Sequence, residues 1–437
     1  MRSRYLSLIL FALIPNCGAQ VIYGLKDCIG IGLERNFSIR IAKNSETVSN
    51  NNYSLGNAGF LPALSFVSKY NGSVTNTTQN LTAGGQSIAN GVQATAVNAA
   101  TTLGWTIFNG FNVQTTYKKL NELKQLGELN TQLSIENYIA NLLSVYYGYI
   151  QQEQLVNNKK YALTLSRERL RIDEVRYLLQ SSSKLQVLQS RVYFNADSSS
   201  LSSQLETLRA IQIRLNELMA VEDMGTQFVL KDTVINVKTD LIYEKLLEET
   251  LKSNTNLQIA GKNKTISDYD YKIVVSRAYP YLNLTTGYSF TLSTLSSSSY
   301  NNQLASGPNY GLTLGVNVFN GFNSKREIKN SAINVKSNEL KFQEIEQGIK
   351  ADLITIYSAY RNNLKLINLE KQNFETATEN LSIALERYKL GNLSGIDLRE
   401  VQKSLLDAKE RLLSIQYQAK LAEISLLQIS GRVMEYY

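Results

Sequence analysis

The apolar and polar positions of this chain follow two periods and switch between them twice, in the same way each time. From Tyr281 to Leu292 the sequence alternates, with Leu282, Leu284, Tyr288, Phe290 and Leu292 on one face. Asn283, Thr285, Gly287, Ser289 and Thr291 fall on the other. A second run sets Leu312, Leu314, Val316 and Val318 against Gly311, Thr313, Gly315 and Asn317. Period two predicts strands with unlike faces. Beyond Asn323 the spacing turns helical, through Ile328, Ala332, Val335, Phe342, Ile345, Ile349, Ile356 and Tyr360. The first half does the same. Leu64 and Phe66 alternate with Ala63 and Ser65, and Leu103, Trp105 and Ile107 oppose Thr102, Gly104 and Thr106. A long helical run follows.

Both switches carry one sequence. Leu103 to Asn112 and Leu314 to Asn323 share the core Phe-Asn-Gly-Phe-Asn, at Phe108, Gly110 and Phe111 and again at Phe319, Gly321 and Phe322. The copies lie about half a chain apart and mark one strand-to-helix junction in two structural repeats. The first repeat is 20–220, with a β-hairpin about 62–108, a long helix about 113–177 and a return helix about 184–220. A connector at 221–240 holds two short strands, Thr226 to Lys231 and Thr233 to Lys238. The second repeat is 241–437, with a hairpin about 280–319, a long helix about 324–388 and a return helix about 396–431. Shorter helices are expected at Leu25 to Arg35, Phe37 to Gly59, Leu241 to Lys252 and Asn254 to Arg277.

No proline follows Pro308, so nothing breaks the second long helix, which would reach roughly 95 Å at ~1.5 Å per residue. The second return helix has an unbroken three-four seam from Leu398 to Ile429. In the first, Ser190, Asp197 and Gln204 interrupt the equivalent seam. Residues 71–92 and 293–309, rich in Asn, Ser, Thr and Gly, read as exposed loops.

Alternation over ~10 residues fits a strand with lipid on one side and a polar lumen on the other, and equally a half-exposed ordinary sheet. The N-terminus favours the former. Arg2 and Arg4 precede an apolar stretch and the small residues of Cys17-Gly18-Ala19, a signal peptide over 1–19 cleaved after Ala19. Lipid attachment at Cys17 is the rival. Four strands cannot close a barrel in lipid, so several chains must share one, and three chains would give twelve strands. The fold class is therefore mixed α and β, with strands contributed to a shared transmembrane barrel.

Composition removes other functions. The 437 residues carry a net charge of +8, with basic residues scattered among acids, so no nucleic-acid footprint forms. There is no histidine and therefore no His-based triad, and two cysteines make no disulfide framework or Cys-based metal site. No catalytic, metal or cofactor constellation is expected, and the protein reads as no enzyme.

The helix ending at Gly59-Phe60-Leu61-Pro62, the paired Phe-Asn-Gly junctions, and the turns at Arg176-Tyr177 and Arg387-Tyr388-Lys389-Leu390-Gly391 resemble the TolC family of outer-membrane efflux proteins. The resemblance spans the mature chain. It implies a homotrimer with a twelve-stranded barrel in the outer membrane, an α-helical barrel crossing the periplasm and a small equatorial domain. It also implies an exit duct serving an inner-membrane transporter through a periplasmic adaptor. In that family two acids of the second helix turn ring the periplasmic constriction, and Asp397 and Glu400 stand there. At i and i+3 they share a helix flank; two surface acids favoured by a helix N-terminus would look the same. The family closes its mouth with a Tyr and an Arg meeting an Asp. Tyr388 matches the Tyr, while Leu393 replaces the Arg and Gln186 the Asp, so closure would rest on a Tyr388–Gln186 hydrogen bond. Adaptor docking would use Ser181, Ser182 and Ser183 of the first turn and Gly391, Asn392, Leu393 and Ser394 of the second. The competing reading is a trimeric surface adhesin or structural coiled coil; its single membrane anchor sits poorly with a repeated hairpin.

Overall fold

A computed structural model describes residues 21–296 and 302–437. The leader expected at 1–19, with Cys17, lies outside them. In order the elements are β1 (Val21–Tyr23), α1 (Leu25–Arg35), α2 (Phe37–Asn52), α3 (Leu55–Ala58), β2 (Ala63–Asn80) and β3 (Gln86–Asn109). Then come α4 (Asn112–Leu178), α5 (Lys184–Leu218), β4 (Phe228–Leu230), α6 (Tyr243–Ser253) and α7 (Thr255–Ser276). The chain finishes with β5 (Tyr281–Leu295), β6 (Asn302–Gly315), α8 (Asn323–Lys389), α9 (Gly395–Ile429) and a 3-10 turn at Val433–Tyr436. No helix among the described residues is long and apolar enough to cross a membrane. Two compact units result, and α2, α4 and α8 contribute to both.

One unit comprises Ile41–Leu133 and Ser253–Ile349. Its centre is a four-stranded antiparallel sheet in the order β2-β3-β5-β6. The register puts Leu64 opposite Leu103, Trp105 opposite Leu284 and Leu284 opposite Leu312, so the apolar sets of all four strands share one face. Pro62 and Pro280 each immediately precede a strand, and Pro308 lies in the edge strand β6, where a missing N–H costs least. The strands run deeper than the composition of their tips suggested. Residues 71–92, expected as a loop, are ladder except for an irregularity at Asn76, whose side chain accepts from Gly91 N–H at 2.7 Å, and a tight turn in which Leu81 N–H donates to Gly85 O at 3.0 Å. Likewise β5 reaches Leu295 and β6 starts at Asn302, within the loop expected at 293–309. Backbone pairing continues there although the side chains have lost their alternation. Gln93 still exchanges hydrogen bonds with Ser296, and beyond it β3 pairs, among the described residues, with β2 alone, so the end of this hairpin is a two-stranded ribbon. At the other end β6 stops at Gly315, leaving Val316 and Val318 outside the strand. Gly315 faces Tyr281, the first residue of β5, and no further partner follows among the described residues. β3 extends to Asn109 because β5 still pairs with it there. The helix expected at Phe37–Gly59 is broken: Ser54 caps the short α3, and Gly59 ends it in the left-handed region at φ 91°.

The other unit comprises the described residues up to Arg40, Ser134–Lys252 and Lys350–Tyr437. Its main core gathers Cys28 and Ile29 of α1, Ile139, Leu142, Tyr146 and Ile150 of α4, Leu215 of α5, and Phe228 and Leu230 of β4. β4 pairs in parallel with β1, a three-residue strand absent from the sequence expectation. The second connector strand, expected at Thr233–Lys238, does not form; that segment is irregular and held by side chains. Lys238 N–H donates to the Glu423 carboxylate at 2.9 Å, and the Tyr360 hydroxyl donates to Lys238 O. Glu423 is fully buried and also accepts from Lys420 Nζ at 2.9 Å and from the Tyr436 hydroxyl at 2.6 Å. The Lys420 ammonium lies 4.8 Å from the Tyr147 ring centre and 5.0 Å from that of Tyr436. Burial lowers its pKa against the opposing pull of Glu423. This cluster fastens the C-terminal turn to α9 and to the connector.

Candidate functional site

Two regions carry the residues singled out by the sequence: the strand-to-helix junctions, and the turns joining α4 to α5 and α8 to α9. At the junctions the shared pentapeptide folds twice into one shape. Phe108 and Phe111 meet edge to face at 5.3 Å, as do Phe319 and Phe322 at 5.3 Å. The Asn109 side chain accepts from Val113 N–H at 3.2 Å, and Asn320 accepts from Ser324 N–H at 3.2 Å, each satisfying a free donor of the helix start. The bend itself needs two successive left-handed residues, Gly110 and Phe111 at φ 65° and 67°, and Gly321 and Phe322 at 67° and 61°. For phenylalanine this is strained, and the ring pair and asparagine cap hold it. The copies differ in space. A Cβ on Gly110 would meet Ser276 O at 2.5 Å, whereas one on Gly321 would find only Asn323 Nδ2 at 3.8 Å.

The helix turns are built alike. Asn392 N–H donates back to Arg387 O at 2.8 Å across Gly391, at φ 84°. Ser181 N–H donates to Arg176 O at 2.9 Å across Gln180, at φ 56°. Both are left-handed helix ends, one with glycine and one without. Ser183 and Ser394 then cap α5 and α9, accepting from Gln186 N–H and Asp397 N–H. Ser182 donates to Gln186 Oε1 at 2.8 Å, and Leu393 packs into the cluster around Tyr388 and Leu398. Ser181 and Asn392 contribute mainly turn backbone, so much of the expected docking set is occupied in making the turns. The Asp397 carboxylate accepts from Ser394 Oγ at 2.7 Å, which completes the cap of α9. Asp397 and Glu400 are both exposed.

Tyr388 is fully buried at the end of α8, and its hydroxyl donates to Asp173 of α4 while the Gln186 side chain, the partner expected from the sequence, also hydrogen-bonds to it. Asp173, equally buried, accepts from Ser190 of α5 through its other oxygen. The Arg176 guanidinium donates to Tyr388 O and lies 4.8 Å from the Tyr388 ring centre, placing a cation on the C-terminal carbonyls of α8. Burial, and then the bond to Asp173, push the Tyr388 hydroxyl up to about 12. Two turns along α5 from Ser190, Asp197 forms a two-pronged pair with Arg399 of α9 at 2.8 Å and 2.8 Å. Arg399 and Arg169 bracket Tyr193, at 5.2 Å and 4.6 Å from its ring centre. Arg169 is 2% exposed, and its Nε and Nη2 have no partner among the described residues, nor has the amide of the buried Gln402. Burial first, then Arg399, lower the Arg169 pKa.

Sequence reasoning missed Asp173, Arg169 and the Asp197–Arg399 pair. A signal existed. Two of the three polar residues interrupting the α5 seam, Ser190 and Asp197, are the ones holding these partners; nothing in the structure explains Gln204. Among the described residues no group of acidic or cysteine side chains is placed to hold a metal.

Residues 246–432 match the family model of the outer membrane efflux protein. No curated protein matches. The structure is similar to that of CusC, whose crystal structures concern transmembrane channel formation, with a TM-score of 0.75 and 16% identity over 93% of this chain and 92% of that one. It is similar to VceC, an outer membrane protein of Vibrio cholerae, with a TM-score of 0.73 and 14% identity over 93% and 96%. It is also similar to the CmeC outer membrane channel of Campylobacter jejuni, with a TM-score of 0.72 and 16% identity over 94% and 86%.

Proposed function

From an outer membrane efflux protein domain at 246–432, set in a TolC-like fold that spans nine-tenths of the chain, we propose that this protein is a passive exit duct completed by three copies of itself. Proteins of this class are outer-membrane transport channels and not enzymes. The observation that carries the trimeric duct is the sheet of four strands. It has one apolar and one polar face, and both its edges, β2 and β6, are unpaired among the described residues. Open edges are not tolerated in lipid, and four strands are too few to close. β6 of one copy beside β2 of the next runs antiparallel and completes twelve strands.

The duct receives its substrates from an inner-membrane transporter through a periplasmic adaptor, which docks at the turns around Ser182 and Gly391. Asp397 and Glu400, exposed on the first two turns of α9, form the acidic ring that favours cations at the constriction. At rest the mouth is closed by the Tyr388–Asp173 link instead of an ion pair.

The test joins the edges. Ser65→Cys on β2 together with Thr313→Cys on β6 should give covalent trimers on oxidation in outer membranes, while each single variant stays monomeric on denaturing gels. Absence of cross-linked species larger than a monomer would overturn the shared barrel. For the ring, Asp397→Asn with Glu400→Asn should lower cation selectivity in planar bilayers; unchanged selectivity would remove those residues from the constriction.

A further inference from the structure

Lys69 is the one charged residue on β2, β3, β5 and β6 among the described residues, and no acidic side chain stands on any of these strands to neutralise it. Its face is fixed by register. Lys69 is opposite Asn98, Asn98 opposite Thr291, and Thr291 opposite Ala305. That row belongs to the polar face, and Thr291 Oγ1 donates to Asn98 Oδ1 at 3.0 Å within it. The next row, on the opposite face, is Tyr70, Val97, Leu292 and Leu304. The lysine therefore sits at a level where the outer face is apolar, and its position in the pleat turns it away from that face.

The neighbouring rows of the polar face are small or uncharged: Val67, Ala100, Ser289 and Gly307 on one side, and Asn71, Ala96, Ser293 and Gln303 on the other. Lys69 is thus the longest side chain at its level of the polar face and is exposed. A long flexible ammonium with no carboxylate on its sheet and small neighbours is placed to reach into water.

We propose that Lys69 sets the charge preference of the barrel: three copies ring the lumen with ammonium groups and bind polyvalent anions, phosphate compounds among them, as they leave. The inference rests on the three-chain barrel proposed above. A ring of like charges inside a pore selects ions of the opposite sign, and without a counter-charge on the strands its field is not cancelled locally. The effect weakens as salt screens it over a Debye length of about 10 Å at 0.1 M.

The test is block of single-channel current in planar bilayers at low salt, with inorganic triphosphate added on the barrel side. A background of Asp397→Asn and Glu400→Asn keeps the proposed acidic ring from masking the result. Triphosphate should block this parent. Lys69→Gln should raise the half-blocking concentration roughly tenfold, and Lys69→Arg should leave it within about twofold. A parent that triphosphate does not block, or a Lys69→Gln channel blocked at the same concentration, overturns the proposal. Failure of the underlying reading shows differently, as bilayers with no current steps at all, and removes the ring with it. An exposed lumen position tolerates glutamine, so loss of folding does not confound the comparison.

Discussion

The hydroxyl of Tyr388 donates to the carboxylate of Asp173, and neither side chain meets solvent. Tyr388→Phe removes the donor and leaves one oxygen of a buried carboxylate unsatisfied, at a cost of about 1–3 kcal/mol. If this link closes the mouth, the variant should conduct more in planar bilayers while its helical circular dichroism is unchanged. A variant with lower stability and the same conductance would make the link structural only.

The same bond makes an alkaline prediction. Burial and Asp173 raise the Tyr388 pKa from 10.0 to about 12, so folding favours the neutral phenol. Its contribution is complete below pH 10 and is lost as pH climbs through 12. Tyr147 and Tyr360 are also pushed up to about 12 by burial, so their contributions to stability are lost in the same range. The share due to the mouth is the difference between the wild type and Tyr388→Phe. Conductance of the wild type should rise from pH 10 to pH 12 towards that of the variant, and parallel curves would exclude Tyr388 as the titrating group.

Equal sequence at the two junctions does not mean equal tolerance. Gly110→Ala must bear both a left-handed backbone and a carbon 2.5 Å from Ser276 O, whereas Gly321→Ala bears the backbone alone. Gly321→Ala should cost about 1 kcal/mol and Gly110→Ala at least 2 kcal/mol, read from the denaturant midpoint of each variant. Equal losses would mean that the assembled protein crowds Gly321 with atoms of another copy.

Glu423 accepts three hydrogen bonds in a site closed to solvent. Glu423→Ala strands the buried Lys420 ammonium and should cost about 3–5 kcal/mol. Replacing both charges, by Lys420→Met with Glu423→Leu, should recover most of that loss. Urea unfolding of the single and double variants measures both values. A double variant as weak as the single would show that the three bonds, and not the stranded charge, matter most.

Long helices were the easiest elements to read. The expected 113–177 and 324–388 compare with Asn112–Leu178 and Asn323–Lys389, because a helical period without proline over so many turns has few alternatives. The tips of the hairpins were hidden for the opposite reason. At Asn71–Asn80 both faces of β2 are polar or small apart from Val74, so no period betrays a strand whose ladder bonds lie in the backbone. Asp173 was hidden because it lies in the body of α4, far in sequence from Tyr388, while attention to motif positions at the turns pointed to Gln186. A buried polar pair leaves no periodic trace of its own. Its mark is a defect in another pattern, as Ser190 and Asp197 are in α5.

The ribbon at the end of the first hairpin has a consequence for how this protein changes over time. Beyond Gln93 it is held, among the described residues, by one ladder, and no core presses on its side chains. Exposed substitutions away from packing, caps and charges typically shift stability by no more than about 0.5 kcal/mol. The turn near Gly84 and Gly85 should therefore accept an inserted epitope. On a barrel in the outer membrane this ribbon would meet antibodies and phage first. Variation there is nearly free, so in the proposed barrel the part most open to such encounters would be the part the fold constrains least.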